Sequence, residues 1–482
     1  MVDDTHTVED EILNSPQRWF ALMALLGATF IGTISNNIVN VATPSIAIEF
    51  SVPISSAVWV SAGFALALAT MMPLAGRLGD IFGSRRVFLI GLFVFSLASI
   101  LLAVSPNLPC AIFGRVLQGA SGAPVLPCVM STITRIFPKE HRGRAIGMWA
   151  AVNSSALALA PAIGGWVVDA IGWRAIFWFS APAMIAVGLL VMILVPSDKR
   201  LIEQKLDIPG IVYFIFTIIN LIAFVSLLER FSRRNFVWIA LTGISVICLY
   251  KWSQKYLRNK QNSFINLEIL NNEFKWNTLI ASLQMIVLFS TTLLVPVYLV
   301  SGVGRSNSFA GGITATLAGL MLVGSIIAGR LSERISFSKL AFSGGCFILL
   351  GLTIMFLYIG VSIWLICGLS LCGIGISLIQ TPSTVAITFS VKKSETGAAM
   401  GLFNMSRFIF GGLGATLAST FFDLGIVHSG ETSVISIISF RMGLLVPIVA
   451  SFGILILSLI QLSTWPGTDV DQDKFAEMPS TI

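Results

Sequence analysis

Residues 76–86 read GRLGDIFGSRR and separate two apolar runs, 56–75 and 87–104. A similar stretch, GRLSERISFSK at residues 329–339, follows another apolar run, 309–328. The two stretches share Gly-Arg-Leu and an acidic residue at the fifth position. Because the same loop recurs at the same place between apolar runs, the sequence predicts an internal repeat.

The composition predicts a protein that crosses a membrane many times. Of its 482 residues 55% are hydrophobic and only 11% are charged, whereas about a quarter of the residues in soluble proteins are charged. A spanning helix needs about twenty mostly apolar residues, and the chain contains fourteen such runs. The runs are 20–44, 56–75, 87–104, 110–133, 145–168, 174–195, 208–228, 235–252, 276–300, 309–328, 340–358, 362–388, 397–421 and 440–462.

The positions of Lys and Arg predict the orientation in the membrane. Alternate loops and tails hold 22 of the 30 basic residues, the other loops hold 6, and two, Arg115 and Arg407, lie within apolar runs. Cytoplasmic loops carry the excess of positive charge, so both termini are expected in the cytoplasm of a cell-membrane protein. The net charge of +7 then reflects topology rather than nucleic-acid binding. The loop ERFSRR, 229–234, puts three positive charges outside and leaves open whether the two runs beside it fully cross.

The sequence gives no sign of an enzyme, a metal site or a bound cofactor. All three histidines, His6, His141 and His428, lie outside the apolar runs. The six cysteines are scattered and form no close pair that suggests a disulfide or a metal cluster. Catalysis within a membrane would need clustered ionisable side chains near one interface, and the sequence contains no such cluster.

Four segments together resemble the major facilitator superfamily, and within it the fourteen-span drug/proton antiporter family. They are GRLGDIFGSRR, RVLQGASGA (115–123), GMWAAVNSSALALAPAIGG (147–165) and ETGAAMGLFNMSRFIFGGLGA (395–415). The resemblance implies an all-α integral membrane protein with the major facilitator fold. The expected parts are a tail (1–19), a six-helix bundle (20–195), a linker with two spans (196–275), a second six-helix bundle (276–462) and a second tail (463–482).

The resemblance also assigns conformational roles to a set of residues in the loops and in the fifth span. Asp80 is expected to face the N-terminus of a neighbouring helix, and the glycines and Pro161 allow close packing and helix rocking. The residues in this gating set are Gly76, Asp80, Gly83, Arg85, Arg86, Gly147, Pro161, Gly164, Gly165, Gly329 and Glu333.

The first span carries neutral polar residues where the family carries an acid. The stretch ISNNIVNVATP (34–44) is similar to the family's span-one motif, and Ser35 occupies the position of its carboxylate. Hydrogen bonds between helices are one explanation for this polarity, and a substrate cavity is the other. The residues expected to line the cavity are Ser35, Asn36, Asn37, Asn40, Arg115, Gln118, Asn153, Gln284, Gln380, Asn404 and Arg407.

The expected function is transport of a small molecule across the lipid bilayer by one chain acting alone. The family implies proton-coupled export of drugs or amphipathic metabolites by alternating access. The missing acid keeps an alternative open, in which the chain moves an anionic or neutral metabolite, such as a siderophore-like carboxylate, without conventional proton antiport. A receptor or scaffold would need larger soluble parts than the short tails of this chain.

Overall fold

A computed structural model of the chain describes residues 16–52, 54–57, 59–197, 269–305, 307–358, 362–392, 395–427 and 432–464, with scattered positions between 207 and 251. Within these ranges every long element is an α-helix and no strand is present. The predicted all-helical class is therefore confirmed.

The described helices are α1 (Gln17–Glu49), α2 (Trp59–Phe82), α3 (Ser84–Ala103), α4 (Leu108–Gly122), α5 (Val125–Ile136), α6 (Lys139–Ile171), α7 (Arg174–Leu194), α8 (Asn272–Val297), α9 (Asn307–Leu331), α10 (Phe337–Leu357), α11 (Ser362–Ser390), α12 (Thr396–Val427) and α13 (Thr432–Thr464). A short helical turn, Ile54–Ala57, precedes α2, and a π-helical segment, Tyr298–Gly302, continues α8.

Ten helical segments in the described part of the chain are long and apolar enough to cross a membrane. Helices α6 and α12 are not among these ten, and their 33 and 32 residues give lengths of about 50 Å, more than the roughly 30 Å of a bilayer core, so both are also long enough to cross. The runs 208–228 and 235–252 and the loop 229–234 lie almost entirely outside the described residues. The count of fourteen spans therefore stays a prediction.

The fourth predicted span, 110–133, is one span made of two helices. Helix α4 ends at Gly122 and α5 begins at Val125, with two turn residues between them. Pro124 lies at this break, where its missing N–H and its ring oppose a continuous helix. The whole segment Leu108–Ile136 is still long and apolar enough to cross.

Two local signals in the sequence explain where helices begin. Asn107 precedes α4, and its Oδ1 accepts a hydrogen bond of 3.0 Å from the Cys110 N–H, which caps the helix. Gly83 separates α2 from α3 with φ of 97°, a conformation that favours glycine. The predicted loop glycine of GRLGDIFGSRR is therefore a sharp junction between two helices.

The helices form two compact units. The first unit takes its residues from 1–136, 160–274 and 390–406, and the second from 137–159, 275–389 and 407–482. The boundaries fall inside α6 and inside α12, so each unit includes one part of both helices. The division into bundles 20–195 and 276–462 stays a prediction.

Each unit has an apolar core, and close helix contacts depend on glycine. The core of the first unit includes Ile38 and Phe177, and that of the second includes Leu317 and Phe440, all nearly inaccessible to solvent. At Gly119 of α4, a Cβ atom would lie 2.3 Å from the Phe64 carbonyl oxygen of α2. Only glycine allows the two backbones to approach this closely.

Both units contain an arginine that binds the end of a neighbouring helix. The Arg174 guanidinium, at the start of α7, donates a hydrogen bond of 2.7 Å to the Ser105 carbonyl just beyond α3, and it also pairs with Glu49. The Arg441 guanidinium, on α13, donates one of 3.0 Å to the Phe356 carbonyl near the end of α10. Both arginines bind carbonyl groups at helix C-termini, where positive charge is favoured.

Candidate functional site

The buried Arg115 is the centre of a hydrogen-bond network in the first unit. Its side chain is completely buried. Its Nε donates to the Val60 carbonyl at 2.9 Å, Nη1 to Gln118 Oε1 at 2.6 Å and Nη2 to Asn36 Oδ1 at 3.2 Å. The guanidinium carbon also lies 4.2 Å from the centre of the Phe64 ring. Arg115 therefore joins α1, α2 and α4 through neutral groups.

The network continues from Gln118 to α3. Gln118 Nε2 donates to Ser99 Oγ at 2.7 Å, and the Ser99 hydroxyl donates to the Phe95 carbonyl at 2.8 Å. Gln118 and Ser99 are both fully buried. Each polar group that these bonds involve is thus paired away from water, which is the condition for burying polarity at low cost.

The polar residues of the first span have three different environments. Ser35 is 2% exposed, and its hydroxyl has no hydrogen-bond partner among the described residues. Asn36 and Asn37 are half-buried, and Asn37 Nδ2 donates to the Thr33 carbonyl of its own helix at 2.8 Å. Asn40 lies in α1, but its side chain falls outside what the structure describes. The structure therefore brings Asn36, Arg115 and Gln118 together.

Four other predicted cavity residues belong to the second unit, and Asn404 belongs to the first. Both amide atoms of Gln284 and the Oε1 atom of Gln380 are buried and have no hydrogen-bond partner among the described residues. Arg407 is 1% exposed, whereas Asn153 is half-buried. Asn404 is also buried and donates to the Met400 carbonyl of its own helix at 2.8 Å.

Asp80, near the end of α2, binds the start of α12. Its Oδ1 accepts from the Gly397 N–H at 2.9 Å and its Oδ2 from the Ala398 N–H at 2.8 Å. A Cβ atom on Gly76, one turn earlier, would lie 2.0 Å from the Gly397 carbonyl oxygen. A carboxylate that accepts two N–H groups at a helix N-terminus is held by charge-assisted hydrogen bonds and by the helix dipole.

Glu333, just beyond α9, makes a corresponding contact with the start of α6. Its Oε1 accepts from the Arg144 N–H at 3.2 Å, and its Oε2 lies 3.6 Å from Arg144 Nε. A Cβ atom on Gly329 would lie 2.5 Å from the Gly143 carbonyl oxygen. The side chains of Glu333 and Arg144 are 16% and 52% exposed, so water screens this contact more than that of the fully buried Asp80.

The two contacts have the same register. In both, the acid lies four residues after a glycine, and that glycine packs against a second glycine at the partner helix. Four residues further along the partner helix, Gly401 and Gly147 would place a Cβ atom 2.6 Å from the Met72 carbonyl oxygen and 2.9 Å from that of Ser325. We call these the α2–α12 latch and the α6–α9 latch. Their matching geometry supports the internal repeat.

The remaining members of the predicted gating set have varied positions. Arg85 donates to the Met192 carbonyl near the end of α7, and Arg86 is exposed. Gly164 packs against Ile38 of α1, where a Cβ atom would lie 2.9 Å from Ile38 Cγ2. Pro161 and Gly165 lie in α6, but their surroundings are outside what the structure describes.

The partners of the predicted residues could not be identified from the sequence. Ser99 and the Val60 carbonyl complete the Arg115 network, and Arg144 is the partner of Glu333. One signal for the latches was available: Gly143 and Gly147, like Gly397 and Gly401, are four residues apart at the start of a long helix. Small residues at this spacing are typical of closely packed membrane helices.

Comparison with known proteins identifies the group to which the chain belongs. A sequence model of the Major Facilitator Superfamily matches residues 25–415. An uncharacterized MFS-type transporter of Mycobacterium tuberculosis is 30% identical over 83% of this chain and 69% of its own length. The multidrug transporter protein MdtP of Bacillus subtilis is 26% identical over 83% of this chain and 74% of its own.

A further relative and a solved structure agree. The riboflavin transporter RibZ of Clostridioides difficile is 25% identical over 86% of this chain and 90% of its own. The crystal structure of the human organic anion transporter MFSD10 matches with a TM-score of 0.66, covers 92% of this chain and all of its own, and is 12% identical, which shows a shared fold. The chain belongs to the Major Facilitator Superfamily and is a multi-pass membrane transporter rather than an enzyme.

Proposed function

We propose that this transporter exports small amphipathic compounds, drugs or metabolites, across the cell membrane by alternating access. Relatives named as a multidrug transporter and a riboflavin transporter support this class of substrate. Two six-helix bundles in a single chain would move the solute through a site near the middle of the membrane, with both chain termini in the cytoplasm.

The pair of latches is the observation that carries the proposal. Both latches depend on glycine contacts and on a carboxylate that binds backbone N–H groups, so each forms only when two helix ends approach closely. Contacts of this kind stabilise one arrangement of packed helices and are lost in another. The two latches therefore support a transporter that closes and opens at the helix ends.

Proton coupling is the energy source that the family implies. In the part of the chain that the structure describes, Asp80 and Glu333 both lie at helix ends, and the polar residues near the middle of the spans are amides, hydroxyls and arginines. If Asp80 or Glu333 carries the proton, protonation would break the latch to which that acid belongs. Transport is therefore measured with and without a pH gradient.

The experiment is transport into proteoliposomes with and without an imposed pH gradient. The panel contains ethidium as a cation, riboflavin and puromycin as polar aromatic solutes, and fluorescein as an anion. We expect uptake of at least one of the first three. No uptake of any compound under either condition would contradict the proposed function, and uptake of fluorescein alone would favour transport of anions.

Asp80→Asn tests the role of the α2–α12 latch. The amide keeps one oxygen but replaces the other with an NH2 group, which cannot accept the second backbone N–H. We expect uptake to fall by about tenfold or more, while the amount of folded protein changes little. Glu333→Gln is the matched variant in the more exposed latch, and its effect should be smaller and should diminish in high salt. Equal loss of folded protein and of uptake in Asp80→Asn would make Asp80 structural instead.

A further inference from the structure

The side chain of Asn271 joins the start of α8 to the end of α11. Asn271 is the residue before α8, and its Oδ1 accepts a hydrogen bond of 2.7 Å from the Phe274 N–H. Its Nδ2 donates one of 2.8 Å to the carbonyl of Ser390, the last residue of α11. Since a backbone N–H only donates and a carbonyl only accepts, both partners require the same orientation of the amide. Asn271 therefore caps one helix and binds the end of another.

Both bonds serve helix ends. The first N–H groups and the last carbonyl groups of a helix find no partner inside it, and Asn is among the residues that best cap an N-terminus. Ile269 and Phe274, on either side of Asn271, are 1% and 3% exposed, so buried neighbours hold the backbone that carries this side chain. Asn271 itself is exposed, so water competes for each of its hydrogen bonds.

The end of α11 lies one short turn before the α2–α12 latch. Residues 391–395 separate α11 from α12, and we call them the α11–α12 turn. The Lys392 carbonyl accepts a hydrogen bond of 2.9 Å from the Glu395 N–H and one of 3.4 Å from the Thr396 hydroxyl. These bonds tie the turn to the first residue of α12. A shift at the end of α11 is therefore passed to the start of α12 through a short, internally bonded segment.

The α2–α12 latch tolerates little movement of the α12 start. Asp80 accepts from the Gly397 N–H at 2.9 Å and from the Ala398 N–H at 2.8 Å, one on each carboxylate oxygen. A contact of about 3.6 Å is no longer a hydrogen bond, so a displacement of about 1 Å would end both. All of these contacts, from Asn271 to Asp80, lie within the first compact unit.

We propose that Asn271 is a positioning residue for the α2–α12 latch. By binding the Ser390 carbonyl it holds the α11–α12 turn, and with it the first N–H groups of α12, where Asp80 accepts them. Asn271 is among the last residues of the predicted linker, 196–275, so the linker stabilises the latched arrangement through this residue. The importance of this role for transport rests on the proposed function, whereas the role itself is tested without transport.

The first test measures hydrogen exchange in the purified protein at the two latch amides, the N–H groups of Gly397 and Ala398. Asn271→Ser keeps a hydroxyl that caps α8, but this side chain is too short to reach the Ser390 carbonyl. We expect exchange at the latch amides to become about twofold to fivefold faster, as the loss of one exposed neutral hydrogen bond predicts. Exchange at Phe274 should stay unchanged. Latch amides that exchange at the parental rate would overturn the proposal.

Asn271→Asp repeats the test with a cap at least as strong. A carboxylate still accepts from the Phe274 N–H and is favoured at a helix N-terminus, but it has no N–H for the Ser390 carbonyl. It should therefore accelerate exchange at the latch amides at least as much as Asn271→Ser does. Exchange at the parental rate in Asn271→Asp would assign the effect of the serine to a weakened cap and would overturn the proposal.

Asn107→Ser is the matched control. Asn107 caps α4 in the same way, with a hydrogen bond of 3.0 Å from the Cys110 N–H to its Oδ1, and it belongs to the same compact unit. This substitution should leave exchange at the latch amides unchanged. An equal increase in Asn107→Ser and Asn271→Ser would show a general loosening of the unit and would contradict a specific role of Asn271.

A double variant shows whether Asn271 acts through the latch. Asp80→Asn already removes part of the latch, so Asn271→Ser should accelerate exchange at the latch amides less in that background than in the parent. An equal acceleration in both backgrounds would mean that the two residues act independently, which would overturn the proposal.

Uptake into proteoliposomes separates this proposal from the proposed function. We expect Asn271→Ser to reduce uptake by about twofold to fivefold, less than Asp80→Asn does. Faster exchange at the latch amides with unchanged uptake would support the positioning role of Asn271 and count against the role of the latch in transport. Unchanged exchange with reduced uptake would contradict the positioning role and leave the export function intact.

Discussion

At the scale of single residues, neutral polar groups lie where the family resemblance predicts a charge. Arg115 is buried beside Asn36, Gln118 and the Val60 carbonyl. Ser35 lies where the resemblance to the span-one motif predicts an acid. These residue types and their spans could be predicted from the sequence. The direction of the hydrogen bonds could not, because it depends on which carbonyl groups of other helices face the guanidinium.

Ser35→Asp restores the family's carboxylate to the first span. The new charge would lie on the same helix as Asn36, close to the Arg115 network, and pairing with Arg115 would offset part of the roughly 2.5 to 3.5 kcal/mol cost of a charge inside the membrane. We expect the variant to fold and to gain proton-dependent uptake of ethidium in proteoliposomes. Ser35→Asn is the neutral control and should gain none. Coupled ethidium export by the parent protein would show that the carboxylate is not needed.

Gln284 allows a test of whether an unpaired buried amide serves transport. Both of its amide atoms lack a partner among the described residues. We therefore expect Gln284→Met to leave the free energy of unfolding unchanged or to raise it by about 1 kcal/mol. Uptake of the transported compound should nevertheless fall. Gln461→Met is the matched control, because Gln461 Nε2 donates to Asn277 Oδ1 at 2.9 Å and its loss should lower stability by about 1 to 3 kcal/mol. A large loss of stability in Gln284→Met with normal uptake per folded molecule would refute this reading.

At the scale of helices, the two latches are the clearest result. The loop motif and its repeat could be found in the sequence, and Asp80 was expected to face a helix N-terminus. The identity of that helix, α12, was not predictable from the loop, because it depends on how the helices pack. The break between α4 and α5 was also missed, since Pro124 lies within an otherwise continuous apolar run.

Gly329→Ala tests the α6–α9 latch against a control in the same helix. The added methyl group would lie 2.5 Å from the Gly143 carbonyl oxygen and 3.0 Å from the Gly147 Cα, so α6 and α9 must separate and the contact between Glu333 and Arg144 must weaken. We expect uptake to fall by about tenfold. Gly319→Ala, also in α9, has no atom within 4 Å of the added methyl and should be neutral or slightly stabilising. Similar uptake in the two variants would show that the close contact has no role in transport.

At the scale of the whole molecule, the predicted topology follows from the distribution of positive charge. Reporter fusions after Lys199, Lys260 and Lys393 should all report a cytoplasmic location, because these loops carry dense positive charge. The three positions lie outside the described residues, so the fusions test the predicted orientation independently of the structure. An external signal at two of the three positions would require a different assignment of spans.

The central claim is that this chain is a carrier that alternates between two states and moves a small amphipathic solute. Counterflow tests it most directly: purified protein in proteoliposomes loaded with unlabelled riboflavin is exposed to a trace of labelled riboflavin outside. A carrier should accumulate the label transiently above its equilibrium level, and Asp80→Asn should reduce that peak by about tenfold. Entry of the label that never exceeds equilibrium and does not depend on the internal load would contradict the account.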